Sequence, residues 1–136
     1  MVATVTLAQI SLIAEEAGSA IDQLPAVDSV TLLRDPLPVL KTHDFFSGPD
    51  LNHRIMVFAE NLALAQGETA AAVTIILTDS HNQIYEIAAE DVRAVPNFTF
   101  TQVVFRLPDN LPAGTCVVRL KLRGQLSNAG TFRIRL

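Results

Sequence analysis

The chain has 136 residues, a length that suits one domain able to bury a hydrophobic core without disulfides or a structural metal. Hydrophobic residues make up 49% of the chain and charged residues 18%, which excludes a disordered protein, and no apolar run reaches the roughly 18 residues needed to span a bilayer. The net charge is -4, but six basic residues and one acidic residue follow position 100, which gives +5 there and leaves -9 for the first hundred residues.

This charge asymmetry bears on the choice of partner. Complementary potentials steer encounters between proteins, so such a chain is suited to meet an acidic partner or to associate head to tail with copies of itself. Cys116 is the only cysteine, which excludes an internal disulfide and argues against a cysteine-based metal site.

The first 25 residues are predicted to form an N-terminal strand and a linker. Val5 and Leu7 alternate with polar residues, as do Ile10 and Leu12, and the parity changes between the two pairs as at a bulge. An apolar strand must bury itself, either on the edge of its own domain or on the edge of another subunit.

The next part of the chain predicts short extended pieces followed by a central strand. Ser29 to Arg34 and Pro38 to Lys41 are separated by a kink at Asp35-Pro36, because proline biases its neighbour away from helix. Arg54 to Leu62 is apolar on both faces, as a central strand is.

Two stretches, Ala14 to Leu24 and Leu62 to Ala72, are rich in Ala, Glu and Gln, yet each holds a glycine, so only a turn or short helix is expected there. Val73 to Thr78 and Gln83 to Ala88 flank a four-residue turn and predict a hairpin.

The last third gives the clearest pattern. Thr99 to Leu107 and Thr115 to Arg123 alternate between apolar and polar residues, which is the period of a strand with one buried face, and the prolines and glycine of 108–114 break the ladder between them. Phe132 to Leu136 repeats the alternation after a Gly, Ser and Asn turn at 124–130. Eight or so strands without crossover helices predict a single all-β module.

Several turns also resemble a known family. The stretches that carry the resemblance are Gln102 to Pro108, Leu111 to Thr115, Val118 to Gly124, Ser127-Asn128 and Phe132 to Ile134, with looser agreement at Ala26 to Val30 and Ile55 to Leu62. They are similar to Ig-like modules of the IPT/TIG kind, which occur in bacterial secreted and cell-surface proteins. The resemblance implies an immunoglobulin-like antiparallel β-sandwich of about 7–8 strands over residues 26–136, with an extra N-terminal strand. It implies no ligand, because one fold hosts many functions.

The alternation also predicts a basic stripe on the outward face of the last strands. A stripe of this kind can dock an acidic surface, or it can be a solvated face that discourages edge aggregation. It lacks the stacking aromatics of single-strand binders, so no nucleic acid is expected. With the apolar N-terminal positions, the predicted interaction surface comprises Arg119, Lys121, Arg123, Arg133, Arg135, Val5, Leu7, Ile10 and Leu12.

No set of residues predicts catalysis. Asp79, Ser80 and His81 are the types of a hydrolytic triad, but three neighbours in a turn rarely converge, so a plain turn is predicted. Cys116 has the inward parity of a core residue.

A metal site is not expected either. The loop before the central strand carries His43, Asp44, Asp50 and His53, whose types suit zinc or manganese, but their spacing matches no compact metal motif.

The sequence therefore predicts a non-enzymatic structural or protein-interaction module without cofactors. Its expected partner is another protein or copies of itself, as in a self-assembling subunit of a bacterial extracellular or surface assembly, and no small-molecule ligand is expected. The extracellular or cell-surface location is what the resemblance implies, since the sequence shows no basic region of a secretory signal at its start. The alternative is a carbohydrate- or ligand-binding accessory domain.

Overall fold

The computed structural model describes residues 10–13, 26–28, 35–40 and 52–136. These residues form two antiparallel β-sheets around one hydrophobic core, which confirms the prediction of an all-β, sandwich-like protein. In chain order the strands are β1 (Ser11–Leu12), β2 (Val27–Asp28), β3 (Arg54–Glu60), β4 (Thr74–Thr78), β5 (Ile84–Ala88), β6 (Asp91–Ala94), β7 (Phe100–Arg106), β8 (Gly114–Leu122), β9 (Gln125–Leu126) and β10 (Gly130–Ile134), with a 3₁₀ helix at Ala70–Ala72.

The first sheet has the order β1-β3-β7-β6, and β2 pairs with β3 beside β1. Strands β3 and β7 form its centre, in a register that sets Ile55 opposite Phe105 and Val57 opposite Val103. All four of these side chains are fully buried, because alternate residues of a strand face the same side of a sheet.

The second sheet has the order β10-β8-β4-β5, and β9 pairs with β8. Leu37 adds a parallel bridge to Ile134, so the segment around residue 37 extends this sheet beyond β10. The predicted alternation of β8 is present: Cys116, Val118 and Leu120 are fully buried and the residues between them are exposed.

The described N-terminal residues belong to their own sandwich. Ile10 and Leu12 are each 2% exposed, and β1 pairs with the end of β3. The Asn128 side chain holds them there, because its Oδ1 accepts a hydrogen bond from Leu12 N at 2.7 Å and its Nδ2 donates to Leu12 O at 3.4 Å. Of the two alternatives for the N-terminal strand, residues 10–13 therefore take the edge of their own domain. Val5 and Leu7 lie outside the described residues.

The structure differs from the expected elements in three places. Strands β6 and β9 were not expected, and β9 lies within the predicted 124–130 turn. The predicted extended piece at 38–41 forms no named strand in its described part, residues 38–40, where Leu40 makes an isolated bridge to Asn52. Ser29 to Arg34 and Ala14 to Leu24 lie outside the described residues. Among the residues that are described, no helix is long and apolar enough to cross a membrane.

Candidate functional site

The basic residues of the last strands lie on the outer face of the second sheet. Arg119 and Lys121 of β8 and Arg133 of β10 alternate with buried residues and are exposed. The register sets Arg133 opposite Thr115, four residues along β8 from Arg119, so these two guanidinium groups start about 13 Å apart along the sheet. Arg133 is therefore well separated from Arg119, while Lys121 lies two residues from Arg119 on the same strand.

Exposed aliphatic side chains lie on the same face as these cations. Ile84 of β5 is 65% exposed, Leu126 of β9 is 40% exposed and Val117 of β8 is 37% exposed. Leu126 lies opposite Lys121, and Val117 lies opposite Thr131 on one side and Thr78 on the other. We call the surface formed by Arg119, Lys121, Arg133, Ile84, Val117 and Leu126 the basic face.

The cations of the basic face lack partners within the described part of the chain. None of Arg119, Lys121 and Arg133 forms an ion pair there. The one acidic side chain on the described part of this face is Glu86. It lies opposite Ile76 of β4, and Ile76 lies opposite Arg119 of β8. Uncompensated cations among apolar side chains are typical of protein-binding surfaces. Arginine is enriched in such surfaces, and the bound partner excludes water from them.

Two residues of the predicted stripe lie elsewhere. Arg123 occupies the turn after β8 with a φ of 48° and pairs with Glu68, so its charge is already neutralised. Arg135 follows β10 and lines a groove of about 450 Å³ together with Leu40 and Leu136. The stripe of five predicted cations therefore contributes three to the basic face.

The β4–β5 turn contains the predicted Asp79-Ser80-His81 group and is built around Asp79. Its Oδ1 accepts hydrogen bonds from His81 N at 2.8 Å and Gln83 N at 3.0 Å, and its Oδ2 accepts one from the Tyr85 hydroxyl at 2.9 Å. Burial opposes the charge of Asp79, but these hydrogen bonds outweigh it and hold the pKa of the carboxyl below its usual value.

The three side chains do not converge as a triad does. Ser80 Oγ donates to Ala113 O at 3.0 Å, and the carboxylate of Asp79 meets the backbone of His81 instead of its imidazole, which belongs to an exposed residue. The carboxylate fixes the turn that places Ile84 on the basic face.

His53 is part of a buried polar pair that the sequence did not predict. Its Nε2 lies 2.8 Å from Asp28 Oδ2, and both side chains are 3% exposed. Its Nδ1 lies 2.7 Å from Pro38 O, and since a carbonyl only accepts hydrogen bonds, Nδ1 carries a proton. The pair fastens β2 and the residue 35–40 segment to the start of β3.

No described residues form a metal site. In the described ranges no group of three or more His, Cys, Asp and Glu side chains converges, and His43, Asp44 and Asp50 lie outside those ranges. Cys116 lies in the core, where burial, aided by the negative charge of Asp79, raises the pKa of its thiol to about 11.

An aromatic cluster on the first sheet was also missed from the sequence. Phe100 packs against Phe58 with ring centroids 5.4 Å apart and against Phe98 with centroids 5.0 Å apart. Phe98 is 64% exposed at the β6–β7 turn. The parity of Phe58 and Phe100 on their strands, opposite to that of Phe105, was the signal that could have found it.

Comparison with known proteins identifies no relative: no protein-family model, no curated protein and no solved structure matches this chain.

Proposed function

We propose that the chain is a non-enzymatic, immunoglobulin-like interaction module whose basic face docks an acidic protein surface. One observation carries the proposal: three cations without a described partner share one sheet face with three exposed aliphatic side chains. The aliphatic groups supply area that leaves water, and the cations supply steering and specificity.

The strand order supports the immunoglobulin-like part of the proposal. The strands of an immunoglobulin domain are lettered A to G in chain order. With β2 as strand A and β3 as strand B, the first sheet has the order A-B-E-D. The second sheet, β10-β8-β4-β5, then has the order G-F-C with β5 as one added edge strand. The parallel bridge of Leu37 to Ile134 fits a first strand that leaves one sheet and joins the other.

The module class and its location rest on the turn residues. The Leu-Pro-Ala-Gly turn before β8 and Ser127-Asn128 before β10 resemble the IPT/TIG kind of module. On that resemblance we place the protein in a bacterial secreted or cell-surface assembly.

Another copy of the chain is one candidate for the acidic partner. The first hundred residues carry -9 and the remainder +5, so the basic face of one copy is attracted to the acidic part of the next. A contact between two different surfaces of one protein repeats into rings or filaments.

Sedimentation velocity and a binding assay test this proposal together. At low salt we expect the wild type to self-associate with rising concentration or to bind a labelled poly-aspartate peptide, and we expect about 0.5 M NaCl to abolish either, because screening shortens the Debye length. Arg119→Glu should abolish the association, and Arg93→Glu, an equally exposed arginine on the first sheet, is the matched control. A wild type that does neither, or equal losses in both variants, would refute the basic face as a docking surface.

The aromatic cluster favours a second candidate, a carbohydrate-binding accessory domain. Phe98 is exposed and stacks on Phe100, which offers a flat apolar ring to a sugar. A glycan array that shows binding by the wild type and none by Phe98→Ala would favour this candidate over the first.

A further inference from the structure

The hydrogen-bonding side of β5 that faces away from β4 is a second surface of interest. In an antiparallel ladder, bonded and non-bonded residue pairs alternate. Asp79 N donates to Gln83 O and Ala89 N donates to Val73 O, so the bonded pairs in between are Leu77 with Tyr85 and Ile75 with Ile87.

It follows that Ile84, Glu86 and Ala88 point their backbone N–H and C=O groups away from the sheet. In the part of the chain that the structure describes, no hydrogen bond satisfies these groups, and β5 is the last strand on its side of the sheet. A row of unpaired backbone groups on an exposed edge is a template for another strand.

This edge lacks the usual protection. Strand β6, the corresponding edge of the first sheet, carries Asp91 and Arg93 and is followed by Pro96, all of which discourage pairing. Strand β5 carries one charge, Glu86, on an otherwise uncharged strand without proline.

A groove runs beside the edge. It has a volume of about 470 Å³ and is lined by Tyr85 and Ile87 on the β5 side and by Arg106, Pro108 and Asp109 on the other side. The side chains of an added strand that lie opposite Tyr85 and Ile87 would enter this groove, while those opposite Ile84 and Glu86 would continue the outer face of the sheet.

We propose that β5 binds an extended peptide segment by strand addition, with apolar residues in the groove and a basic residue opposite Glu86. The carboxylate of Glu86 forms no ion pair with a described residue, so a cation beside it is favoured. A second copy of β5 fits worse, because a two-fold pairing centred on Glu86 sets two carboxylates against each other. The inference goes beyond the proposed function, since it uses the outward backbone groups of β5 and the groove beside them and not the cations of the basic face.

The test is a titration of ¹⁵N-labelled protein with the capped peptide Thr-Val-Lys-Val-Ile. In the free protein the amides of Ile84, Glu86 and Ala88 should exchange with solvent faster than those of Tyr85 and Ile87. At a peptide concentration ten times Kd, exchange at the three outward amides should slow about tenfold, because only about a tenth of the edge stays free. The same three signals should shift during the titration.

Two variants distinguish the contribution of the Glu86 backbone N–H to peptide binding from that of the Glu86 charge. Glu86→Pro removes an outward N–H without touching the bonds to β4, so it should abolish binding, while Glu86→Gln keeps the N–H and should only weaken it. Arg133→Glu, on β10 at the other end of the strand order from β5, should leave peptide binding intact, which keeps this result independent of the basic face.

A matched peptide covers the case in which Glu86→Pro does not fold. N-methylation of the peptide nitrogens that face β5 leaves its side chains unchanged and should remove binding to the wild type. The proposal is overturned if the wild-type amides do not respond, if the N-methylated peptide binds equally well, or if Thr-Val-Glu-Val-Ile binds as tightly as the lysine peptide.

Discussion

On the outer face of the first sheet, Arg54 lies directly opposite Arg106, and each has its own carboxylate: Glu90 lies 2.8 Å from Arg54, and Asp109 lies 3.2 Å from Arg106. On the outer face of the second sheet, Arg119, Lys121 and Arg133 have no such partner among the described residues.

The surface charges of the two sheets therefore differ in role: those of the first sheet are paired within the protein, and those of the second sheet are available to a binding partner. Like charges opposite each other in a sheet repel, and acids after β5 and β7 remove that repulsion on the first sheet. The cations of the second sheet do not lie directly opposite one another, and without described partners their charge stays available to a binding partner.

The largest expected effect lies at the buried contact between His53 and Asp28, beside the start of β3. His53→Ala leaves Asp28 buried without its imidazole and should lower the free energy of unfolding by about 3–5 kcal/mol in urea titrations. His81→Ala, at an exposed position of the β4–β5 turn, is the control and should stay within about 0.5 kcal/mol of the wild type. A loss below about 1 kcal/mol for His53→Ala would show that the contact between His53 and Asp28 does not stabilise the fold.

The next effect concerns the start of β8, the strand that carries the centre of the basic face. Gly114 has a φ of +132°, and a Cβ there would lie 2.7 Å from Ser80 Cβ. Gly114→Ala is therefore both strained and crowded and should cost about 2–3 kcal/mol, measured by thermal or urea unfolding.

Gly124→Ala is the matched control, since its φ of +78° strains alanine but open space surrounds the new Cβ. We expect a loss of about 1 kcal/mol there. Equal losses at the two positions would mean that the contact between β8 and the β4–β5 turn does not hold the second sheet in place.

The interior of the second sheet predicts a pH effect. Burial raises the pKa of the Cys116 thiol from 9.0 to about 11, so the unfolded chain loses this proton at lower pH than the folded chain. The stability contributed by the neutral thiol is thus complete below pH 9 and is lost as the pH rises toward 11.

Wild type and Cys116→Ala should accordingly lose stability to different extents between pH 8 and 11. The wild type should lose more, by on the order of 1–2 kcal/mol, in urea titrations at each pH. Parallel curves for the two proteins would contradict a buried, neutral thiol.

The sequence predicted those parts of the fold that depend on strand period. The inward parity of Cys116, Val118 and Leu120 follows from alternation alone, and so does the outward parity of Arg119 and Lys121. Strand β6 was missed because Asp-Val-Arg-Ala is only four residues long, too short for its alternation to stand out from the loop around it, and its pairing with β7 makes it a strand.

The parts of the site that the sequence missed depend on contacts between distant residues. Arg123 and Arg119 look alike in sequence, yet Glu68, 55 residues away, neutralises the first and no described residue neutralises the second. His53 was assigned to a plain loop for the same reason, since the position of Asp28 beside it follows from the pairing of β2 with β3. Which charged side chains remain without an ion-pair partner therefore depends on the fold and cannot be read from the local sequence.

The smallest effect compares one arginine from each face. Arg93 lies 2.9 Å from Asp91 in an exposed ion pair, so Arg93→Ala should cost about 0.2–1 kcal/mol, and 0.5 M salt should remove most of that loss. Arg119→Ala removes a cation without a described partner and should leave stability unchanged or slightly raised, because it relieves repulsion from Lys121 and Arg133. Chevron or urea measurements at two salt concentrations resolve differences of this size. If Arg119→Ala destabilised the protein more than Arg93→Ala, the cation of the second sheet would be serving the fold, and its use for docking would lose its physical basis.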